Sequence, residues 1–548
     1  MKLYDALRFL LCLLFCFDTT GMFSKRTVGY DKLLISPSKR LRHNVIDMFL
    51  SNDMSALRAQ SFFEDAAAAG ASGGFNRLQR AGNSGAHGKT MHRDVLRKCL
   101  KGTKWPPPYL ANIRVWDPHL QQATFCIVPI MLPHEQIRAI CGKSNLQALL
   151  AKEGMSAEAL RHLREVVAAT GASDLLGLGF WLDGTPCNWD RSQSVETVSL
   201  NFPGHTAELA NLRLPVSAIM KKFMLKHDTV DDILSIVSWS LQCALDGNMP
   251  SRRHDGTPWD KTDSWRKKFS GKPIGVRSAA VEVRADWACL KETFRFPGWN
   301  EKRGCCYRCN VTPAEVRNCS ADATWRSPAR RLGHWGLLQM ILDAGLTLST
   351  LFSFPFFQTR CVAIDWLHCC DLGVACDFLG NLFFLLLPKT HEPNQTLRVA
   401  ALFRRIRAFY LQHPECDSRL DNLTERMNRK KGTSSPKLRA KAAEARNLIP
   451  FAKYISEQLL SDVGVEGAVK QMARHLDACY GCLSEATYNA QVLKTNCRKF
   501  CLLWTAVENQ SVGALWRFKP KFHIWQELCE ESDCRPSTCW TYRDESFR

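Results

Sequence analysis

An α/β fold built on a mixed sheet with flanking helices is what this sequence predicts, and three observations predict it. Apolar runs of strand length succeed one another between residues 175 and 220, a capped helix follows, and a valine-rich run ends at Ala285. Two of these runs deliver an acid where the apolar pattern gives out, in Leu182-Asp183-Gly184-Thr185-Pro186 and in Ala285-Asp286-Trp287. A carboxylate at a strand end is held by a rigid sheet yet left uncovered. Two of them on neighbouring strands can share the paired divalent cations that clamp the attacking and leaving oxygens of phosphoryl transfer.

The N-terminal elements come first. Met1-Lys2 and the run from Leu7 to Phe17 read as a signal-peptide core too short to cross a bilayer, as an amphipathic or buried helix, or as a non-native start. From there to residue 104, basic patches alternate with Ala66-Ala67-Ala68-Ala69-Gly70 and further glycine-rich tracts, which predicts a basic, largely disordered arm with one helix before the Ala/Gly tract. Trp105-Pro106-Pro107-Pro108 closes that arm, since successive prolines enter neither a helix nor a central strand. Ile137, Ile140, Leu146, Leu149, Leu160, Leu163 and Val167 recur at helical spacing, so residues 105–172 read as a small helical module.

Residues 173–310 change period. Leu175 to Leu182, Val195 to Phe202 and Leu212 to Met220 read as strands, the second alternating through Val195, Thr197, Ser199 and Asn201. Thr229 reads as the N-cap of a helix with Asp231 and Asp232 in its first turn, and Gly247 ends it. Ile274 to Val283 makes a fourth strand, broken by Arg277 and Ser278. Three strands, a helix and a fourth strand, with an acid at the end of the first and just past the last, is the order of a ribonuclease-H-like core. Residues 311–548 read as a large, mainly helical insertion and the C-terminal part of that core. The apolar stretch Gly380 to Leu387, stopped by Pro388, is too short for a membrane span and belongs to a core helix.

A chain of 548 residues with 45% hydrophobic content can bury a large core, in three or so units. Its formal charge of +20 favours an anionic partner, because phosphate neutralisation by Lys and Arg drives nucleic-acid binding. The 24 cysteines fall largely in apolar or helix-like segments, which predicts reduced, buried thiols rather than a disulfide framework.

The later motifs stand in a particular order. Asp183 is followed by Asp286, then by Pro297-Gly298-Trp299-Asn300, Cys306-Tyr307-Arg308-Cys309, Asp365-Trp366-Leu367-His368 and Phe518-Lys519-Pro520-Lys521-Phe522-His523. In that order, over roughly residues 175 to 548, the chain resembles the transposases of the CACTA and Kyakuja-Dileera-Zisupton group of cut-and-paste DNA transposons. The resemblance implies DNA strand cleavage and transfer with two Mg²⁺ or Mn²⁺ ions, and Asp183 and Asp286 as the first two of three catalytic acids. It implies Asp365 and His368 as the motif of the insertion. DNA is the implied partner, with self-association in an active protein, a nuclear address and neither a membrane nor a small-molecule substrate. The third acid, a glutamate on a helix, falls on Glu444 or Glu545. With Glu545 the supporting helix is missing, which implies a truncated and inactive copy.

Each motif also has a plainer reading. Asp before Gly after a strand is an ordinary turn former, and Asp255-Gly256-Thr257-Pro258 repeats the tetrapeptide elsewhere. Cys306 and Cys309 make half a zinc site, with His368 and a neighbouring cysteine as distant partners, or they are packed thiols. His368 alternatively orients Asp365 and caps the following helix. Arg404, Arg405 and Arg407, with Arg429, Lys430 and Lys431, suit a surface that tracks phosphates or a solvated face. Two other classes compete: the same fold kept as a catalytically dead nucleic-acid-binding protein, and a secreted or membrane-attached cysteine-rich protein, which only residues 1–20 suggest.

Overall fold

The computed structural model describes residues 37–50, 54–72, 74–79, 105–142, 149–186, 192–205, 213–299, 301–302, 304–429, 434–531 and 535–542. The apolar start therefore lies outside the described residues. The chain divides into two compact units, the first made of residues 1–153, 166–280 and 353–356 and the second of 154–165, 281–352 and 357–548.

The first unit opens with three helices, α1 (Pro37–Leu50), α2 (Ala56–Ala68) and α3 (Phe75–Leu78). They bury Val45, Ile46, Ala59, Phe63, Phe75 and Leu78 in one small core, and Ser55 caps α2 by accepting the N–H of Arg58 at 3.3 Å. The arm read as largely disordered thus holds three packed helices in place of one. Its Ala, Gly and basic bias hid a short apolar set at helical spacing.

The module expected to be helical begins instead with a hairpin, β1 (Tyr109–Asp117) and β2 (Gln122–Ile130), paired antiparallel from Tyr109 opposite Ile130 to Asp117 opposite Gln122. Tyr109, Ala111, Ile113 and Val115 are buried while Leu110 and Asn112 are exposed, the period-two pattern of a half-buried strand. Asp117 shapes the turn by accepting the N–H groups of His119 at 2.8 Å and Leu120 at 3.2 Å. Helices α4 (Pro133–Cys141) and α5 (Ala157–Thr170) follow where helical spacing was read.

Strands β3 (Leu175–Pro186), β4 (Ser194–Asn201) and β5 (Leu214–Met220) form an antiparallel meander. With β6 (Arg277–Ala285) they make a four-stranded sheet in the order β5-β4-β3-β6. Helix α6 (Lys226–Asp246) starts a turn before Thr229, so Thr229 is not its N-cap. The Thr229 hydroxyl instead accepts from the N–H of Leu225 at 2.8 Å and donates to the carbonyl of Arg114 at 2.7 Å, tying the helix to β1. Arg114 completes that seam with Asp232 at 2.7 Å and Asp228 at 2.8 Å. Gly247 ends α6 at φ 79°, as read from the sequence. A short helix, α7 (Ser264–Phe269), precedes β6. Arg277 and Ser278 lie inside β6 and do not break it, because Arg277 donates Nε to the α6 carbonyl of Leu245 at 2.7 Å and Ser278 is fully buried.

In the second unit Val283 of β6 pairs in parallel with Val362, and the N–H of Ala363 reaches the carbonyl of Val283 at 2.9 Å. Helices α8 (Trp287–Phe294) and α9 (His334–Asp343) come next, and a π-helical segment, Leu367–Ala375, runs into α10 (Cys376–Leu386). The rest is helical: α11 (Gln395–Gln412), α12 (Glu425–Asn428), α13 (Ala442–Asn447), α14 (Ile449–Leu459), α15 (Gly464–Gly481), α16 (Ala490–Gln510) and α17 (Pro520–Glu531). The stretch Leu367–Thr390 is long and apolar enough to cross a membrane, and 83% of its most apolar window is buried inside the protein. The described cysteines are free thiols, most of them buried. The α/β class with a mixed sheet and a mainly helical C-terminal part is as the sequence predicts.

Candidate metal centre and the acids around it

Asp183 sits within β3, opposite Thr197 of β4, whose hydroxyl donates to the Asp183 carbonyl at 3.1 Å. The strand continues to Pro186, so the acid is buried in the sheet rather than placed at its end. Gly184 is no turn former here: a Cβ at this position would stand 2.6 Å from an oxygen of Glu196 on the paired strand. In the second unit, Asp286 follows β6 directly and caps α8, accepting the N–H of Cys289 at 2.6 Å.

Glu444 occupies the first turn of α13, where its carboxylate accepts the N–H of Lys441 at 2.8 Å. This is the back half of a capping box, which explains the glutamate without catalysis. Glu545 lies outside the described residues, as do Lys430 and Lys431. Arg404, Arg405 and Arg407 are exposed along α11, and Arg404 meets Glu392 at 3.1 Å. Arg429 donates to the carbonyl of Ser434 at 2.6 Å and lies 4.9 Å from the ring of Phe384, so it packs rather than projects.

Asp365 is buried and saturated. It accepts the N–H groups of Leu367 at 3.2 Å and His368 at 3.1 Å, the ring Nδ1 of His368 at 2.5 Å, and both the N–H and the hydroxyl of Thr541 at 2.9 Å. Burial pushes this carboxyl up, but the bonds from His368 and Thr541 outweigh it and hold its pKa below the ordinary value. His368 therefore orients Asp365, the alternative role the sequence allowed.

His368 is not the partner of Cys306 and Cys309. That place is taken by His523 and Glu527, one turn apart on α17, and the four ligand atoms lie within 4.8 Å of one another. Cys309 Sγ is 3.3 Å from His523 Nε2, Cys306 Sγ is 4.0 Å from Glu527 Oε1, and the His523 and Glu527 atoms are 3.4 Å apart. A tetrahedron with ordinary zinc bond lengths has edges of about 3.3 to 3.8 Å. All four residues are buried, and the group can hold a metal ion.

The electrostatics suit a cation. Burial raises the Cys306 thiol, yet Cys309 and His523 outweigh it and bring it down to about 6. Glu527 is held at about 2 against its own burial, chiefly by His523 and Arg331, which reaches its carboxylate at 2.8 Å. The backbone N–H of Arg308 also points at Cys306 Sγ at 3.2 Å. Against burial, Cys306 and Glu527 in turn push the His523 imidazole up to about 9, so a metal ion that bound here would take the place of the His523 proton. The signal for the second pair was present in the sequence: His523 closes the Lys-Pro-Lys-x-His element, and Glu527 follows it at i+4, on the same helical face.

A cavity of about 540 Å³ opens within the same unit, with Asp286, Asp365 and His368 among its lining residues.

Comparison of the sequence with protein-family models gives no match, and comparison with curated proteins gives none.

Proposed function

We propose that the chain is a transposon-derived protein of the CACTA and Kyakuja-Dileera-Zisupton type, with a ribonuclease-H-like core, that acts on DNA in the nucleus. The observation that carries this reading is the order β5-β4-β3-β6, with Asp183 inside β3 and Asp286 immediately after β6. Val283 of β6 also makes an isolated parallel bridge with Val362, which is compatible with the same core. In this reading Asp183, Asp286 and a late glutamate hold two Mg²⁺ or Mn²⁺ ions, one activating the attacking oxygen and the other stabilising the leaving one. Glu444, which also serves a capping box, and Glu545 are the two candidates for that glutamate.

The Cys306, Cys309, His523 and Glu527 group holds zinc in this reading. A closed set of four buried donors suits a structural ion rather than a catalytic one, since no position is left for water. A second reading, a DNA-binding protein without chemistry, is favoured by the bonding of Asp286 and Asp365, each of which serves as a cap.

Strand cleavage of duplex DNA in Mn²⁺ separates the two. The cleaving reading expects activity in the parent and background in Asp183→Asn, Asp286→Asn and one of Glu444→Gln and Glu545→Gln, with salt-sensitive DNA binding kept in all. Binding without cleavage in the parent leaves the second reading, and cleavage unaffected by both Asp changes places the chemistry elsewhere.

A further inference from the structure

The lining of the cavity beside Asp286 combines two chemistries. One is cationic, with Lys437, Lys519 and Lys521 in its lining. Lys437 Nζ donates to the carbonyl of Leu372 at 2.8 Å and Lys521 Nζ to that of His368 at 2.8 Å, while Lys519 meets the carboxylate of Asp377. An ammonium carries three donors, so each tether fixes the head group and leaves donors over. Two ammonium groups with donors to spare in one lining suit an anion.

The other is aromatic. Trp287 and Trp299 line the cavity, and Trp287 is anchored through its indole N–H to the carbonyl of Pro297 at 3.2 Å. Trp299 is 59% exposed, an unusual state for the largest apolar side chain at the rim of a cavity. Lysines alone would suit inorganic phosphate, and aromatics alone would suit an apolar ligand. Together they ask for one molecule with a flat π-face and a phosphate ester. Asp286, also in the lining, narrows the choice further, because it repels a phosphate dianion more than the single charge of a phosphodiester.

We propose that this cavity takes one unpaired nucleotide of a nucleic-acid strand, its phosphodiester on Lys437 and Lys521 and its base against Trp299 and Trp287. The volume of about 540 Å³ falls within the range of small-ligand sites and admits such a unit. Stacking on an aromatic face accepts any base, so the site selects strandedness and not sequence. The inference rests on the DNA-processing reading only for the partner being nucleic acid.

Calorimetric titration of the full chain, without added divalent ions, tests it with three probes: thymidylyl-thymidine, its abasic counterpart and inorganic phosphate. The dinucleotide should bind about tenfold tighter than either of the others. Trp299→Ala, at a largely exposed position, should erase the advantage over the abasic probe. Lys437→Gln should weaken dinucleotide and abasic probe alike by about tenfold. Equal affinity for all three probes, or a folded Trp299→Ala protein that still prefers the dinucleotide, overturns the proposal. Duplex binding and cleavage without dinucleotide binding removes this inference alone, whereas dinucleotide binding without cleavage removes the strand-cleavage reading alone.

Discussion

Asp286 accepts the N–H of Cys289 at 2.6 Å, and an asparagine carbonyl can accept the same bond. Asp286→Asn therefore keeps the α8 cap and removes the charge, whereas Asp286→Ala also costs about 1 kcal/mol of stability. We expect melting temperatures to fall only for the alanine, and Mn²⁺-dependent cleavage to reach background in both. Cleavage that follows the melting temperature instead of the charge would reduce Asp286 to a cap. Asp371 offers a second test at this scale. Burial outweighs the hydroxyls of Tyr480 and Tyr542 and raises its pKa from an ordinary 3.8 to about 7. The folded state thus prefers the protonated acid. Its contribution is full below about pH 4 and is lost as pH rises through about 7, worth on the order of 4 kcal/mol at most. Denaturation midpoints of the parent should decline across that window relative to Asp371→Asn, and parallel profiles would refute the assignment. From the sequence these two acids look unequal for a reason: Asp286 announces itself after a valine-rich run, while Asp371 depends on tyrosines far along the chain.

Helix α17 joins two features that no local pattern connects. Its first turn carries Lys521 to the cavity, and its next turns carry His523 and Glu527 to Cys306 and Cys309. Removing the ion, or one of its ligands, should therefore loosen the helix and the lysine together. His523→Ala should abolish metal binding and cost about 3 kcal/mol or more, measured as metal content and denaturation midpoint. Thymidylyl-thymidine affinity should fall in the same variant, and full affinity in a metal-free protein would disconnect the two sites. The strands β3, β4 and β5 were legible because alternation and strand length agree there. The hairpin β1–β2 was not, since its alternation of Tyr109, Ala111, Ile113 and Val115 is short and sits between a proline run and a longer stretch of helical spacing. Cys306 and Cys309 were legible as a pair by their spacing. Their partners were not, because a histidine that follows a lysine-proline element reads as part of that element until the fold brings it across.

At the scale of the whole molecule, the charge of +20 sets the expectation for DNA. Each phosphate neutralised should contribute about 0.9 to the slope of log affinity against log salt, so several contacts give a steep loss. Deleting residues 18–100 should shallow that slope and leave the denaturation midpoint of the remainder unchanged, although it also removes the small core around Phe63 and Phe75. A slope near zero in the parent would end the nucleic-acid reading. Charge was legible at once, as composition always is, whereas the helices α1 to α3 were masked by that same composition.

Cys309 and His523 are 214 residues apart in the chain, and this separation fixes a sequence of events in time. A ribosome adding roughly 5 to 20 residues per second needs about 10 to 40 s to travel from one to the other. During that interval the Cys306-Cys309 pair is a pair of unassisted thiols with no imidazole to share an ion, and the ion can close the site only after α17 has been made. A metal ion bound by all four residues would therefore be acquired late in the birth of the protein, after residues 310–520 have been made.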